Sequence, residues 1–386
     1  MEDEMNTLPR LVPPCSPEGP EMRALREQVR DFLDEQLTAG AFTPNVDCWI
    51  SAWDEEFTAA LAARGWLGLT VPEEYGGHGK SFLHRYVVTE ELLAAGAPVA
   101  AHWVGDRQIA PSLLKYGTEE QRHAFLPGIV RGERFFAIGM SEPDSGSDLA
   151  SVRTRAVRVE DGWRITGTKV WTSGAHRSHA FMLLARTSPV DPEHRHAGLS
   201  QFIVDLDSPG LTVSAIHWMN GEHHFNEVSL DDVFVPDDRV FGEIGNGWTQ
   251  VTSELGFERS GPERTLSTFP VLAGLADHIG RGELPHDPAL GRLVARVAGA
   301  RQMSAAVAGQ LQRHLPAEVS AAVVKVLGTA AEGDIADLAD LLVQDTTDPE
   351  FRGLIQTAVD HRPGFTIRGG TNEILRGVIA RELGLR

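Results

Sequence analysis

The sequence predicts a mainly α-helical protein with a central antiparallel β-domain, and three observations carry that prediction. Apolar residues recur at helical spacing through the first third of the chain, strict alternation replaces that spacing in the middle, and helical spacing returns in the last third. Strands do not alternate with helices, which argues against a doubly wound parallel sheet. The expected plan is an N-terminal arm over 1–21, poorly ordered, then an α-helical domain over 22–133, a β-domain over 134–242 and a helical bundle over 243–386.

Each element has its own signal. Met22 to Leu37 carries Leu25, Val29, Phe32, Leu33 and Leu37 at helical spacing with charges between them. Thr118 opens a further helix, because Glu119, Glu120 and Gln121 after it supply a capping pattern and acids for the first turn. Residues 65–79, GWLGLTVPEEYGGHG, are too rich in glycine and proline for a regular element. Residues 152–171 alternate apolar and polar side chains about Asp161-Gly162, which is a hairpin pattern. FMLLART, SQFIVDL and FNEVSLDDVFVP read as further strands. Helical spacing resumes in TQVTSELGFERSGPERTLSTF, runs from Asp287 to Arg313 and from Ala317 to Val343, and closes in GGTNEILRGVIARELG.

Composition excludes several function classes. With 35 Lys and Arg against 54 Asp and Glu, the net charge is −19, which disfavours nucleic acid and anionic membranes as main partners. Cys15 and Cys48 are too few for a disulfide framework or a cysteine zinc site. No apolar run is long enough for a transmembrane helix, and the acidic N-terminus lacks the apolar stretch of a signal peptide, so a cytoplasmic protein is expected. No GxGxxG follows a strand, and neither a phosphate-binding loop nor a GxSxG elbow is present. GEIGNGW, residues 242–248, reads as a turn, and His223-His224 reads as a surface turn rather than a metal pair.

Five stretches carry the chemistry. Met140-Ser141-Glu142-Pro143-Asp144-Ser145-Gly146-Ser147-Asp148 is either plain loop or a loop whose hydroxyls and N–H groups meet a polar ligand edge. In Lys169-Val170-Trp171-Thr172-Ser173-Gly174, an aromatic beside hydroxyls at a strand end suits a flat cofactor, although such a tryptophan also suits a core. Phe225–Pro236 is a strand leading into a loop and receives no role in the chemistry. Leu255-Gly256-Phe257-Glu258-Arg259 lies on a helix, where a Glu-Arg pair reads from spacing alone as a solvated face. Arg368-Gly369-Gly370-Thr371-Asn372-Glu373 is a helix start, with bare N–H groups able to meet an anion or a carbonyl oxygen.

In this order, and with residues 65–79 and KYGTEEQ ahead of them, these stretches resemble the acyl-CoA dehydrogenase family from about Met22 to Leu385. The resemblance implies an N-terminal helical domain, a middle β-barrel and a C-terminal four-helix bundle. It also implies FAD, α,β-dehydrogenation of an acyl thioester, an electron-transferring flavoprotein as acceptor, and a homodimer or homotetramer. It assigns Met140, Ser141, Trp171, Ser173, Thr371 and Glu373 to the flavin, and Ser147 and Arg259 to the substrate. Abstraction of an α-proton needs a positioned carboxylate. Many members carry it just before the C-terminal Gly-Thr, where this chain has Gly369. The isovaleryl-CoA and long-chain types place it on the first helix after the β-domain, in a Leu-x-x-Glu-Arg context, which Glu258 matches. The near alternative is Glu263, five residues along the same expected helix and about 140° around it. The backbone N–H of Gly369 retains an implied role as donor to the thioester oxygen.

The chain also departs from the family pattern. An Arg-x-x-Phe-Gly stretch is missing from residues 278–293, and a Gln-Ile-x-Gly-Gly-x-Gly turn from 341–351. Both normally grip the FAD of a neighbouring subunit, so a heteromer with a non-identical partner is a further possibility. Gly256 replaces an aspartate that contacts pantetheine in several members, which leaves CoA or carrier-protein thioester open. Two other readings of the same fold stand beside the dehydrogenase: a flavin oxidase or monooxygenase, and a non-catalytic support subunit.

Overall fold

The computed structural model describes residues 18–259, 261–344 and 347–385, without the side chains of 255–258. Along the chain the helices are α1 Pro20–Thr38, α2 Cys48–Ser51, α3 Glu55–Ala63, α4 Phe82–Ala94, α5 Ala100–Val104, α6 Ala110–Tyr116, α7 Glu119–Val130, α8 Gly247–Arg259, α9 Phe269–Gly280, α10 Pro288–Gln312, α11 Glu318–Leu342, α12 Pro349–Phe365 and α13 Asn372–Glu382. The strands are β1 Phe136–Gly139, β2 Arg155–Val159, β3 Gly162–Lys169, β4 Ala180–Arg186, β5 Leu199–Asp205, β6 Leu211–His217, β7 His223–Pro236 and β8 Val240–Phe241. They form two compact units. One comprises the chain up to Asp47, Phe82–Ala97 and the chain from Glu258 onward; the other comprises Cys48–Ser81 and Pro98–Phe257.

In the first unit α1 and α4 pack with the C-terminal helices. Two adjacent acids on α4, Glu90 and Glu91, are buried because cations meet them from two sides. Arg26 on α1 lies 2.6 Å from Glu90 and pairs with Glu91, and Arg301 on α10 donates to both Glu90 oxygens at 2.8 and 3.0 Å. The apolar seam of α10 and α11 closes through Val307, Ala317, Ala321 and Val324, and Leu375 of α13 packs on Ala322 and Val326. Asp287 caps α10 through Ala289 N–H, which places the start of the predicted 287–313 run at its cap. In place of the missing family turns, these connections carry helix caps: Asp348 accepts from Phe351 N–H to start α12.

The second unit is built on one eight-stranded sheet of order β6-β7-β3-β2-β4-β5-β8, with β1 on β4. It is rich in antiparallel pairs but not wholly antiparallel: β1, and β2 at Arg155, run parallel to β4. One edge of β4 takes β1 near its start and β2 at its end, a long-range arrangement that alternation cannot show. The hairpin forms as expected, with Val159 paired to Gly162 and Asp161 at φ 59°, so Glu160-Asp161 make the turn and Gly162 begins β3. The sheet curls. Trp163 on β3 and Phe202 on β5 lie three strands apart in the ladder, about 14 Å if flat, yet their ring centroids are 5.7 Å apart. The edge strands β6 and β8 are not paired with each other among the described residues, so the barrel is open along its ladder. Helices α6 and α7, with Ile109 just ahead of α6, cover one face through Leu113, Phe125, Leu126 and Ile129, against Phe136, Met182 and Ile203. The predicted capping box opens α7: Thr118 and Gln121 exchange side-chain-to-backbone hydrogen bonds. Residues 65–79 form no long element, and the Gly68 N–H is fixed by Asp106 Oδ1 at 2.7 Å.

Candidate functional site

The residues singled out by sequence fall into two sets, one in each unit. In the second unit, β1 delivers Met140 and Ser141 and β3 delivers Trp171 and Ser173. A buried ion pair links the two loops. Lys169, fully buried at the end of β3, donates to the Met140 carbonyl and to Glu142 Oε1, both at 2.9 Å. Glu142 is further held by the N–H groups of Arg153 at 2.6 Å and Thr154 at 2.9 Å. Burial pushes the Lys169 ammonium down to about 8 against the pull of Glu142. Burial also acts to raise Glu142, but the Lys169 charge and the hydrogen bonds outweigh it and hold the carboxyl below its ordinary value. Val170 N–H then donates to the Ser141 carbonyl at 2.9 Å, so the two stretches run side by side.

Beyond this pair the chain turns sharply. Trp171 has φ 60°, a left-handed conformation rare for a bulky residue. It is held there because Thr172 exchanges backbone hydrogen bonds with the buried Asn226, at 3.0 and 3.1 Å, and Gly174 N–H bonds the His224 carbonyl at 2.9 Å. The ring of Trp171 is 58% exposed and meets Phe225 edge-on at 5.7 Å. Trp218 stacks on the same Phe225 at 5.6 Å. Thr172 is fully buried, and its hydroxyl has no hydrogen-bond partner among the described residues. Ser173 is half-buried. Ser147 is exposed on the tip of the 140–148 loop, which Ser145 closes by donating to the Asp148 carbonyl at 2.8 Å. His223 and His224 are not a surface turn. They are the half-buried first residues of β7, and His176 stacks on His223 at 3.9 Å.

In the first unit, Gly369 and Gly370 have φ 69° and 84°, a turn that L side chains rarely follow. Thr371 caps α13 by accepting from Ile374 N–H at 3.3 Å. Glu373 is exposed in the first turn, and its own N–H and the Thr371 hydroxyl hold its carboxyl below the ordinary value. Arg259 donates from Nε to the Gly369 carbonyl at 2.8 Å, which joins two residues that the sequence assigns to one site. Glu258 belongs to α8, and its side chain lies outside the described residues, as does the surrounding of Gly256. Glu263 is not on that helix. The chain breaks at Gly261-Pro262 because proline has no N–H to continue α8, and Glu263 sits in a separate 3₁₀ turn with its side chain 2% exposed.

Sequence reasoning missed Lys169 and Thr172 as supports. A signal existed for Lys169: alternation through Trp163 and Ile165 puts it on the inward face, where a lysine requires a partner. The buried residues Asp47, Lys325 and Glu332 had no such signal.

Comparison with known proteins decides the family. Residues 19–133 match the acyl-CoA dehydrogenase N-terminal domain, 137–233 its middle domain and 287–384 its C-terminal domain. The chain belongs to the acyl-CoA dehydrogenase family. It is 37% identical over 350 residues to acyl-CoA dehydrogenase IpdE1 of Mycobacterium tuberculosis, covering 86% of this chain and 87% of that one. It is 34% identical over 340 residues to acyl-CoA dehydrogenase FadE34 of the same organism, spanning 86% of this chain but 46% of that longer protein. Among solved structures it is similar to the Tcur3481-Tcur3483 steroid ACAD, with TM-score 0.82, 30% identity and coverage of 96% and 98%. It is also similar to the ChsE4-ChsE5 complex of Mycobacterium tuberculosis, with TM-score 0.79, 29% identity and coverage of 96% and 99%.

The chain is accordingly an acyl-CoA dehydrogenase enzyme, and members of its family are FAD-dependent flavoproteins. The β-domain residues fit such a group. Trp171 offers an exposed aromatic face, and the buried Thr172 hydroxyl beside it is an unmet hydrogen-bonding atom. No helix among the described residues is long and apolar enough to cross a membrane.

Proposed function

We propose that this chain converts an acyl-CoA to its 2-enoyl thioester, with Glu258 as the base and a ring-bearing acyl group of steroid type as substrate. The observation that carries the reading is the 2.8 Å hydrogen bond from Arg259 to the Gly369 carbonyl. It ties the residue after Glu258 to the glycine turn at 369 and 370, whose backbone carries no side chains. The Glu258 carboxylate takes the α-proton, and the Gly369 N–H donates to the thioester oxygen as negative charge develops there. FAD, when bound, supplies the acceptor for the β-hydrogen, taken as hydride at N5. Met140, Ser141, Trp171 and Ser173 hold its ring, Thr371 and Glu373 contribute from the bundle, and Ser147 and Arg259 serve the substrate. The steroid-type acyl group is supported by the 30% identity to a steroid ACAD across nearly the whole of both chains.

In the same reading the enzyme is cytoplasmic, serves lipid metabolism and passes electrons to an electron-transferring flavoprotein. It assembles with a non-identical subunit in preference to a homodimer or homotetramer. The two-component names of its structural relatives, and the missing motifs that normally grip a neighbour's FAD, favour the heteromer.

The test is an anaerobic visible spectrum with a panel of linear, branched and steroid-bearing acyl-CoA thioesters. Bleaching by the steroid-bearing class alone is expected; bleaching by linear chains alone refutes the substrate class. Rapid reoxidation by air would instead establish an oxidase, and protein that never takes up FAD a support subunit. Glu258→Gln should fold, keep its flavin and lower the reduction rate about 10²–10⁴-fold; full activity would remove Glu258 from the mechanism.

A further inference from the structure

We propose that Asp47, acting through Arg368, positions the Gly369–Gly370 turn for its work on the thioester oxygen. The inference rests on the reading above, in which the Gly369 N–H is the donor to that oxygen. Two adjacent glycines at positive φ have no side chains to fix them, so a turn built this way is as precise as its anchors.

The anchors are three cations, of which Lys325 is fully buried and Arg368 and Arg259 are partly buried. Arg368, covalently next to Gly369, reaches Asp47, 321 residues away: Nη2 donates to Oδ1 at 2.6 Å and Nη1 to Oδ2. A two-pronged pair of this kind fixes the direction of the guanidinium as well as its distance. Arg259 holds the carbonyl of Gly369 at 2.8 Å. Lys325, fully buried on α11, donates to the Thr366 carbonyl at 2.9 Å and to Asn372 Oδ1 at 2.8 Å. Arg368 thus sets the approach to the turn, Arg259 its carbonyl and Lys325 both flanks.

Asp47 is itself over-determined. It is completely buried and holds φ 58°, a left-handed conformation that aspartate tolerates better than most residues. Its N–H donates to the Ser267 carbonyl at 2.8 Å, and the Ser267 N–H in turn donates to Glu332 Oε1 at 2.8 Å. His361 Nδ1 on α12 lies 3.4 Å from Asp47 Oδ2. Burial acts to raise the Asp47 carboxyl, but the Arg368 charge and the hydrogen bonds of His361 and Arg368 outweigh it and keep the group ionised. A buried ion pair adds little stability over apolar packing of the same volume. Placement of the turn accounts for its presence better than stability does.

The experiment uses full-length, FAD-loaded protein and two variants, Asp47→Asn and Arg368→Lys, the second keeping the charge and losing the fork. The first readout is hydrogen exchange in the segment from Thr366 to Glu373. The second is the limiting rate of anaerobic flavin reduction together with the dissociation constant of the acyl-CoA. Asp47→Asn is expected to speed exchange in that segment about tenfold or more while other helices of the unit exchange as in wild type. Its reduction rate should fall about 10–100-fold, the scale of a misplacement near 1 Å, with flavin content unchanged and substrate binding altered less than about threefold. Arg368→Lys should fall between Asp47→Asn and wild type in both readouts.

Unchanged exchange in a folded Asp47→Asn overturns the proposal. So does a rate loss fully accounted for by weaker substrate binding or lost flavin. If Asp47→Asn does not fold, Arg368→Lys decides by the same two readouts. A wild-type flavin that no acyl-CoA reduces would overturn the dehydrogenation reading alone, and exchange would still decide the clamp.

Discussion

Glu332→Gln should stabilise the protein progressively as pH rises and have little effect in mild acid. Glu332 lies on α11, completely buried. Ser267 N–H donates to Oε1 at 2.8 Å, while Oε2 has no hydrogen-bond partner among the described residues. Burial pushes the carboxyl up from 4.5 to about 8, opposed by the Arg368 charge and the Ser267 N–H and reinforced by Asp47. At pH 7 the group is therefore protonated in the folded protein and ionised in the unfolded chain. Between pH 4.5 and about 8 the folded state binds the extra proton, so stability is unpenalised below that window and falls with pH across it. At about 1.4 kcal/mol per pH unit, the penalty reaches about 3 kcal/mol at pH 7 and about 5 kcal/mol above pH 8. Glutamine has the shape of the protonated acid, keeps an acceptor for Ser267 N–H and cannot ionise. Urea unfolding of both proteins at about pH 5.5, 7 and 8.5 should show the advantage of the variant widening by about 3 kcal/mol. An advantage independent of pH, or a less stable variant at pH 8.5, would refute the reasoning.

Two further perturbations probe the β-domain. Trp171→Ala should lower FAD retention, measured as the flavin-to-protein absorbance ratio after gel filtration, because its exposed ring is the aromatic face proposed to stack on the cofactor; an unchanged ratio would refute the stacking role. Lys169→Met removes the counter-ion of buried Glu142 and should cost about 3–5 kcal/mol in urea unfolding at neutral pH. It should lower FAD content as well, since the Met140 carbonyl loses its 2.9 Å donor; a loss below about 1 kcal/mol would show that the Arg153 and Thr154 N–H groups suffice.

Much of the local structure was legible in the chain. Thr118 with Gln121 marks the start of α7, Asp287 that of α10 and Thr371 that of α13, because a capping side chain must lie within three residues of the N–H it serves. The Asp161-Gly162 hairpin was legible for the same reason of range, to within one residue of its turn. Glu263 shows where such reading fails. Helical spacing continued through Gly261-Pro262, and the backbone did not follow it.

The sequence by itself determined the order of helical and strand regions, the family, the two glycines that leave the backbone bare at 369 and 370, and the candidate base at Glu258. Each of these depends on neighbours a few residues apart or on motifs in a fixed order. Only the tertiary structure decided which side chains hold the glycine turn. Asp47 meets Arg368 across 321 residues, Lys325 meets Asn372 across 47, and Glu332 meets Ser267 across 65. It also decided that β1 and β2 lie parallel to β4, and that α4, with two acids on its buried face, belongs beside α10. A buried charge is tolerated only where opposite charges or hydrogen-bond partners are placed against it. Nothing in local periodicity names the partner that the fold will bring.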